Sequence, residues 1–313
     1  METPLVSIYV PVYNHENYIV RALDSILMQQ TAYSYEVLVG EDCSTDHTRQ
    51  ILQAWEKSHP DPRFTFFYRQ QNMHHTETPN GLDLKLRCKG KYLICLEGDD
   101  FWTDPKKLEK QVTFLESHPE YYAVAHNCTV VDADSVPNGE TYPECKEEEY
   151  TFRHYANNIL PGQLTTMLSR NYMTDALAEQ NLLRRRLGPG DRNIYFAVLL
   201  RGRIRCMQES MSAYRHITTG GSSFSATVHY RYDAEEQAAR YRLEVAYAAG
   251  NSEAIRCTEH LYLRNLRKAL LHRYIGLRQF WKDFGNIRHK CAALWRLLRR
   301  DIRRKFLHKP LAF

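Results

Sequence analysis

The segment YLICLEGDD (residues 92–100) joins an apolar run to three carboxylates in a short turn. The apolar run predicts a buried strand, and Gly and Asp are typical of the turn that follows. Carboxylates crowded at the end of a buried strand repel one another and lose hydration, so a cation or several hydrogen-bond donors must offset that cost. Two interpretations follow: a solvated turn, or the acidic end of a binding site.

Two earlier segments follow the same plan of strand, polar loop and helix. Residues 5–12 predict a first strand whose loop, YNHEN (13–17), leads into a helix. Tyr35–Val39 predicts a second strand that stops at GEDCSTD (40–46) before another helix, and Phe64–Tyr68 predicts a third strand. This alternation predicts an α/β fold with a mostly parallel sheet flanked by helices.

The convergence of acidic residues favours a binding site. In such sheets, ligands bind outside the carboxyl ends of the strands, where the loops project. The loops after the first, second and fourth strands would bring Asp42, Asp99 and Asp100 to one crevice. Three independent solvated turns explain that arrangement poorly.

The 313-residue chain has room for one large domain with a helical appendage. Its apolar runs are far shorter than the roughly 20 residues of a membrane span, so we expect no transmembrane helix. The sequence starts without a basic leader and apolar segment, which favours a cytoplasmic protein. No two of the eight cysteines have CxxC spacing, so we expect packed thiols rather than zinc ligands.

Basic charge is concentrated near the C-terminus. Residues 264–313 contain 15 Lys or Arg and 2 acidic residues, whereas residues 1–263 contain 27 and 35. Apolar residues recur between the basic ones at helical spacing, which predicts a basic amphipathic helix or helix pair. An anionic membrane surface suits residues 287–307, while packing on the body or on another subunit is the alternative, above all for residues 264–284. No nucleic-acid recognition module accompanies the charge, so we expect no nucleic-acid partner.

Four groups of loop motifs, in this order, resemble those of the inverting family 2 glycosyltransferases, which have the nucleotide-sugar-binding GT-A fold. The motifs are PVYN (11–14), EDCSTD (41–46), KGKY with EGDD (89–92 and 97–100), and GD, RG and YR (190–191, 201–202 and 214–215). The match covers roughly residues 5–225, with departures at Glu41, Cys43 and His216. The resemblance implies a GT-A domain at residues 1–228 and a C-terminal helical region at residues 229–313.

The resemblance also implies a nucleotide diphosphate sugar as donor and Mn²⁺ or Mg²⁺ as cofactor. The metal would bind Asp100 and His216 and bridge the diphosphate, because both ions prefer carboxylate and phosphate oxygens. Asp99 would contact the ribose, and Asp42 an imide N–H of the base. In the alternatives without a functional role, His216 is a surface histidine and Glu97 is bonded to nearby backbone groups at the end of the strand. The predicted nucleotide-sugar-binding residues are Pro11, Val12, Tyr13, Asn14, Glu16, Asp42, Lys91, Asp99 and Arg215.

Asp191 is the predicted catalytic base. Inverting transfer needs a carboxylate near the acceptor hydroxyl, on the face of the sugar opposite the departing diphosphate. The alternative is that Asp191 only caps a helix that starts near Ile194. Arg192 stands where the family often has an apolar residue.

The predicted function is metal-dependent transfer of a sugar to a glycan or lipid-linked glycan acceptor, in bacterial surface polysaccharide or glycolipid synthesis. One rival is a catalytically silent sugar-nucleotide-binding or membrane scaffold protein. The other is a sugar nucleotidyltransferase, which would need a Gly-rich basic loop after the first strand to hold a triphosphate. Here that loop is YNHE (13–16).

Overall fold

The computed structural model describes residues 3–142, 145–174, 190–217 and 232–306. By compactness, the chain divides into two units whose segments alternate along the sequence. The sheet unit comprises Met1–Glu149, Leu160–Thr174 and Arg201–Gly221, and the helical unit comprises Tyr150–Ile159, Asp175–Leu200 and Ser222–Phe313. The predicted domain boundary between residues 228 and 229 stays a prediction.

Nine strands in the described residues form one sheet. They are β1 Val6–Val12, β2 Tyr35–Glu41, β3 Phe64–Tyr68, β4 Tyr92–Cys95, β5 Phe101–Trp102, β6 Tyr121–Val131, β7 Glu149–Tyr150, β8 Leu168–Arg170 and β9 Arg203–Arg215. Their order is β3-β2-β1-β4-β8-β6-β9-β5, and β7 pairs with β9. Strands β1 to β4 are parallel to one another, β9 runs parallel to β6, and β8 and β5 pair antiparallel to their neighbours. The prediction of a mostly parallel sheet is confirmed.

In the described part of the sheet unit, four helices and one 3₁₀ turn accompany these strands. They are α1 Ile19–Leu27, α2 Thr48–Ser58, α3 Asn80–Arg87, α4 Lys107–Ser117 and the 3₁₀ turn Leu164–Thr166. Ile8 and Val10 of β1, Val37 and Val39 of β2, and Leu23 of α1 are fully buried in one core cluster. Strands buried on both faces are expected where helices cover a parallel sheet. The carboxyl ends of β1, β2 and β4 therefore lie side by side on a rigid support.

The helical unit contains six helices in the described residues. They are α5 Phe152–Ala156, α6 Asp191–Leu199, α7 Tyr232–Ala249, α8 Ser252–Leu271, α9 Leu277–Phe284 and α10 Lys290–Phe306. The chain breaks between α7 and α8 at Gly250, which has a φ of +64°, and the Asn251 side chain caps α8 by accepting from the N–H groups of Glu253 and Ala254. Within the described ranges, no helix is both long and apolar enough to span a membrane.

Candidate active site at the carboxyl edge of the sheet

The acid turn, defined as residues 97–100, follows β4 after Leu96. It is closed by the Asp100 N–H, which donates to the Glu97 carbonyl at 3.0 Å. The Gly98 N–H donates to the Pro11 carbonyl at 3.3 Å, which ties the turn to the end of β1. A side chain at Gly98 would not fit, because a Cβ there would lie 2.6 Å from Nδ1 of His15.

Asp100 is the buried carboxylate of the turn, at 1% exposure. Its Oδ1 accepts from the Arg215 N–H at 2.9 Å, and its Oδ2 accepts from Thr165 Oγ1 at 2.9 Å. Burial raises the pKa of Asp100 well above its usual value and the nearby Asp99 carboxylate raises it further, although the two hydrogen bonds act in the opposite direction. The position predicted to bind metal is thus enclosed by protein donors.

Asp99 is the open carboxylate of the turn, with 36% of its side chain exposed. His15 lies next to it, with Nε2 3.9 Å from Asp99 Oδ2. His15 Nδ1 is buried and has no hydrogen-bond partner among the described residues. Sequence reasoning did not single out His15, since one histidine in a polar loop carries no pattern.

Glu97 is bound by a side chain rather than by backbone alone. Gln163 Nε2 donates to Glu97 Oε2 at 2.9 Å, and the Glu97 N–H lies 3.5 Å from Thr165 Oγ1. Gln163 and Thr165 belong to a segment that is otherwise apolar, and that contrast was the available signal for them. The 3₁₀ turn therefore supports both ends of the acid turn.

Arg215, at the end of β9, braces the acid turn from inside the protein. Its Nε donates to the Asp99 carbonyl at 2.9 Å, its Nη1 donates to the carbonyls of Asp132 and Ala133 at 2.6 and 3.0 Å, and its Nη2 donates to Ser135 Oγ at 2.8 Å. The side chain is only 5% exposed. The predicted contact with the donor would compete with these bonds, so the geometry favours a supporting role.

Asp42 lies just beyond β2, at the same edge as the acid turn. Its N–H donates to the Val12 carbonyl at 2.9 Å, and its Oδ1 accepts from the Met73 N–H at 2.7 Å. Burial raises the pKa of Asp42, partly offset by the Met73 bond. A cavity of about 340 Å³ is lined by Met73 and its neighbours, including Arg69, Thr76 and Glu77.

The loop after β1 is locked onto the loop after β2. Asn14, with a φ of +56°, accepts from the Thr45 N–H at 2.8 Å through its Oδ1. Glu16 accepts from the His47 N–H at 2.9 Å through its Oε2. Tyr13 projects from this loop with 40% exposure, whereas Val12 is buried. Of the predicted residues in this loop, Tyr13 is the one whose ring is open to a ligand.

Two predicted residues stand apart from this arrangement. Lys91 lies before β4, at the end opposite the acid turn, and its Nζ pairs with Glu116 at 2.7 Å. His216 follows β9, and its Nδ1 pairs with Glu140 Oε2 at 2.5 Å. Within the described residues, no group of three or more His, Cys, Asp or Glu side chains is arranged to hold a metal ion. The structure thus does not bring Lys91 to the edge of the sheet that carries the acid turn, and it gives His216 an acidic partner.

Asp191 belongs to the helical unit. It is the first residue of α6, three positions earlier than the predicted helix start, and Gly190 occupies the N-cap position with a φ of +120°. A side-chain cap by Asp191 is therefore not what starts this helix. A carboxylate in the first turn is stabilised by the helix dipole.

A family model described as "Glycosyl transferase family 2" matches residues 7–173, more than half of the chain. The chain belongs to glycosyl transferase family 2. The matched stretch contains the acid turn, Asp42 and the loop after β1, whereas Arg215 and Asp191 lie beyond it.

Two curated relatives are similar to this chain over 131 and 223 residues. An uncharacterized protein of Mycobacterium tuberculosis is 38% identical over 131 residues, which are 42% of this chain and 37% of that protein. This chain thus spans little more than a third of that relative. The putative teichuronic acid biosynthesis glycosyltransferase TuaG of Bacillus subtilis is 30% identical over 223 residues, which are 70% of this chain and 82% of that protein.

Among solved structures, residues 1–349 of TarS from S. aureus, in complex with UDP-GlcNAc, resemble this chain with a TM-score of 0.66. The sequence identity is 18%, and the match covers 96% of this chain and 87% of that one. At this identity the likeness concerns the fold, and the predicted GT-A fold of the family 2 chain is confirmed.

Proposed function

We propose that this family 2 protein transfers a sugar from a nucleotide diphosphate sugar to a hydroxyl of a glycan or lipid-linked glycan, in bacterial surface polysaccharide or glycolipid synthesis. The observation that carries the proposal is the grouping of the acid turn, Asp42 and Tyr13 at one edge of a parallel sheet. The name of TuaG refers to teichuronic acid biosynthesis, and the TarS structure contains UDP-GlcNAc, which supports this class of donor and product.

Asp99, in place of the predicted Asp100, is the carboxylate that we assign to Mn²⁺ or Mg²⁺. Both oxygens of Asp100 accept protein hydrogen bonds in a buried position, whereas Asp99 is open. Magnesium is commonly bound through one or two carboxylates together with substrate phosphates, so a single partly exposed carboxylate at this edge of the sheet fits the ion. When bound, the ion supplies positive charge that stabilises the departing diphosphate.

Asp42 is assigned to the base of the donor. Its Oδ1 is bonded to Met73, which leaves Oδ2 to accept from an imide N–H. Tyr13 would flank the base, and the 340 Å³ cavity lies on the Met73 side. A carboxylate fixed by a backbone N–H selects a base with a donor at that position over one that presents an acceptor there.

Asp191 is assigned as the base of a single displacement. It would take the proton of the acceptor hydroxyl as that oxygen forms a bond to the anomeric carbon, and the bond from that carbon to the diphosphate oxygen breaks on the opposite face. The nucleoside diphosphate leaves with the bonding electrons, and the sugar is inverted.

We also propose that the helical unit binds an anionic membrane surface through a basic apolar face. Its apolar members are Leu277 and Trp281 of α9 and Trp295 and Leu298 of α10, which are 65%, 63%, 59% and 51% exposed. Between residues 264 and 299 the only acidic residue is Asp283, which is buried. Exposed aromatic residues flanked by cations suit an anionic lipid interface. The exposed basic members are Arg267, Lys268, Arg273, Arg278, Lys282, Arg288, Lys290 and Arg299.

The experiment that tests the transferase proposal is a thermal-shift panel of nucleotides and nucleotide sugars with and without Mn²⁺, followed by transfer assays with the donors that bind. Binding to the folded state raises its melting temperature. Asp99→Asn should abolish the metal-dependent part of the shift. Asp191→Asn should keep the shift but lower transfer by about 10²-fold or more, the usual contribution of a general base. The exposed Glu120→Gln is the matched control.

The rivals give different results in the same assays. A silent binding protein would show the shift without transfer to any glycan, and a nucleotidyltransferase would release pyrophosphate from a nucleoside triphosphate and a sugar phosphate. The absence of any nucleotide-dependent shift, or full transfer by both variants, would contradict the proposal.

A further inference from the structure

Lys107, the first residue of α4, is a lysine with no exposed surface. Its Nζ donates to Gln111 Oε1 at 2.8 Å and lies 4.2 Å from the centre of the Trp102 ring. In the part of the chain that the structure describes, no carboxylate lies within ion-pair distance of it. Burying an unpaired ammonium costs stability, and burial accordingly lowers the pKa of Lys107 well below its usual value.

Both contacts of Lys107 lead to the 3₁₀ turn that supports the acid turn. Gln111 Nε2 donates to the Thr166 carbonyl at 2.8 Å, and Trp102 Nε1 donates to the Thr165 carbonyl at 3.3 Å. Thr165 Oγ1 in turn donates to Asp100. A continuous path of contacts therefore joins the buried lysine to the acid turn.

The attraction between an ammonium and an aromatic ring is stronger where water is excluded. The ring of Trp102 is 1% exposed, so its position relative to Lys107 is held in a dry environment. A methionine of similar length would fill the same space, but it would neither attract the ring in this way nor donate to Gln111.

We propose that Lys107 is a positioning residue of the donor site, which fixes Trp102 and Gln111 against the 3₁₀ turn and thereby sets the acid turn without touching the substrate. This inference rests on the proposed function, because it takes the acid turn to be where the donor binds. A change at Lys107 should therefore alter the binding of the donor and not the transfer of the proton from the acceptor hydroxyl.

The test compares Lys107→Met with Leu115→Ala, which removes a fully buried core side chain from the same helix but none of the hydrogen bonds or the ring contact of this path. Both variants are measured at a temperature at which both are folded. UDP and GDP, each with Mn²⁺, are the binding probes. Lys107→Met should raise the Kd and the KM for the donor on the order of ten-fold, as expected for a small misplacement of binding groups, with kcat little changed. Leu115→Ala should lower only the melting temperature.

Two further variants separate positioning from general stability. Gln111→Met keeps the lysine but removes the link to Thr166, and it should raise KM as Lys107→Met does, which provides a test even if the latter does not fold. Trp102→Phe keeps a ring but removes the bond to Thr165, and its effect on KM should be non-additive with that of Lys107→Met, since both act along one path.

Equal KM values for Lys107→Met and Leu115→Ala, or strict additivity with Trp102→Phe, would overturn the inference. Failure of the wild-type protein to bind any nucleotide would instead refute the proposed function. Binding by the wild type that Lys107→Met leaves unchanged would refute only the role of Lys107.

Discussion

Asp99 and Asp100 are neighbours in sequence but differ in environment. The sequence predicts that both lie at the donor edge, and it does so from the strand that precedes them. Which of the two faces solvent depends on Thr165 and Arg215, which are 65 and 115 positions away from Asp100. No local pattern contains that information. The same applies to His15, which comes close to Asp99 only after β1 and β4 have paired.

Gly98→Ala should weaken nucleotide binding and lower stability. The added Cβ would lie 2.6 Å from His15 Nδ1 and 3.2 Å from Val12 Cγ2, so the His15 side chain, or the loop that carries it, has to shift away from the acid turn. Overpacking of this kind costs about 1–3 kcal/mol. Urea unfolding and nucleotide titration measure the two effects.

Gly276→Ala is the control for this substitution, because a Cβ at Gly276 meets nothing within 4 Å. It should leave both quantities near their wild-type values. Wild-type nucleotide affinity in Gly98→Ala would show that the contact between the two loops is not needed for binding.

At the level of elements, long segments with a clear hydrophobic period were predicted well, and short ones were missed. β1 and β3 agree with prediction within a residue or so, whereas β5 and β8, of two and three residues, were not predicted. Such strands exist because a partner strand is present, not because of their own pattern. In α10, Ala293 and Leu297 pack in the core of the helical unit while Trp295 and Leu298 are exposed. Part of this segment therefore packs within the protein, and the membrane interpretation stays a proposal.

Glu259 of α8 is hydrogen-bonded to α7, to α10 and to the residue before α10, and Glu259→Gln should weaken these bonds. Its buried carboxylate accepts from Tyr247 Oη at 2.8 Å, the His289 N–H at 2.9 Å and Arg296 Nη2 at 3.0 Å. Hydrogen bonds to a charged group contribute about 1.5–3 kcal/mol, so we expect the free energy of unfolding at pH 7 to fall by about that amount. Urea unfolding measures it, with the exposed Glu253→Gln on the same helix as control.

The loss should depend on pH. Burial raises the pKa of Glu259, but the donors from His289 and Tyr247 outweigh burial and hold this pKa below its usual value. The carboxylate therefore stabilises the fold above its unfolded-state pKa of about 4.3, and this contribution is lost as the pH falls through the lower folded-state pKa. The difference between wild type and Glu259→Gln should shrink in acid. A constant difference down to pH 3 would contradict the assignment.

At the scale of the whole molecule, the basic residues near the C-terminus fall in one compact unit, and the predicted boundary between residues 228 and 229 stays a prediction. The basic residues do belong to the helical unit, but that unit also includes Tyr150–Ile159 and Asp191, which a single boundary would assign to the sheet. Interleaving of this kind cannot be predicted from composition, because it depends on tertiary contacts of short segments. Side chains of residues 300–306, and all of 307–313, lie outside the described parts of the predicted tail.

The basic apolar face should bind anionic vesicles in a flotation assay. We expect the protein to float with phosphatidylcholine vesicles that contain about a third phosphatidylglycerol at roughly 0.1 M salt, and to be released near 1 M. Trp295→Ser with Leu298→Ser, or Arg278→Glu with Lys282→Glu, should abolish flotation. Deleting residues 287–313 is a poor test, because Ile287, Ala293 and Leu297 are part of the core.

Val136→Ser and Leu86→Ser, which remove exposed apolar side chains of the sheet unit, are the controls and should float as the wild type does. Flotation that is equal with neutral and anionic vesicles, or absent with both, would contradict membrane binding. Sedimentation of the same variants shows whether the face instead joins two copies of the chain.

Arg215 has a consequence for biosynthesis of the protein. The acid turn is translated early, but the N–H and guanidinium that hold it come from the end of β9, 115 residues after Asp100. Until β9 has left the ribosome, Asp100 lacks one of its two donors, and contacts of such long sequence separation form slowly. A nascent chain that ends before Arg203 should therefore be unable to retain a nucleotide sugar. A nucleotide sugar present during translation would assist folding only after β9 has joined the sheet.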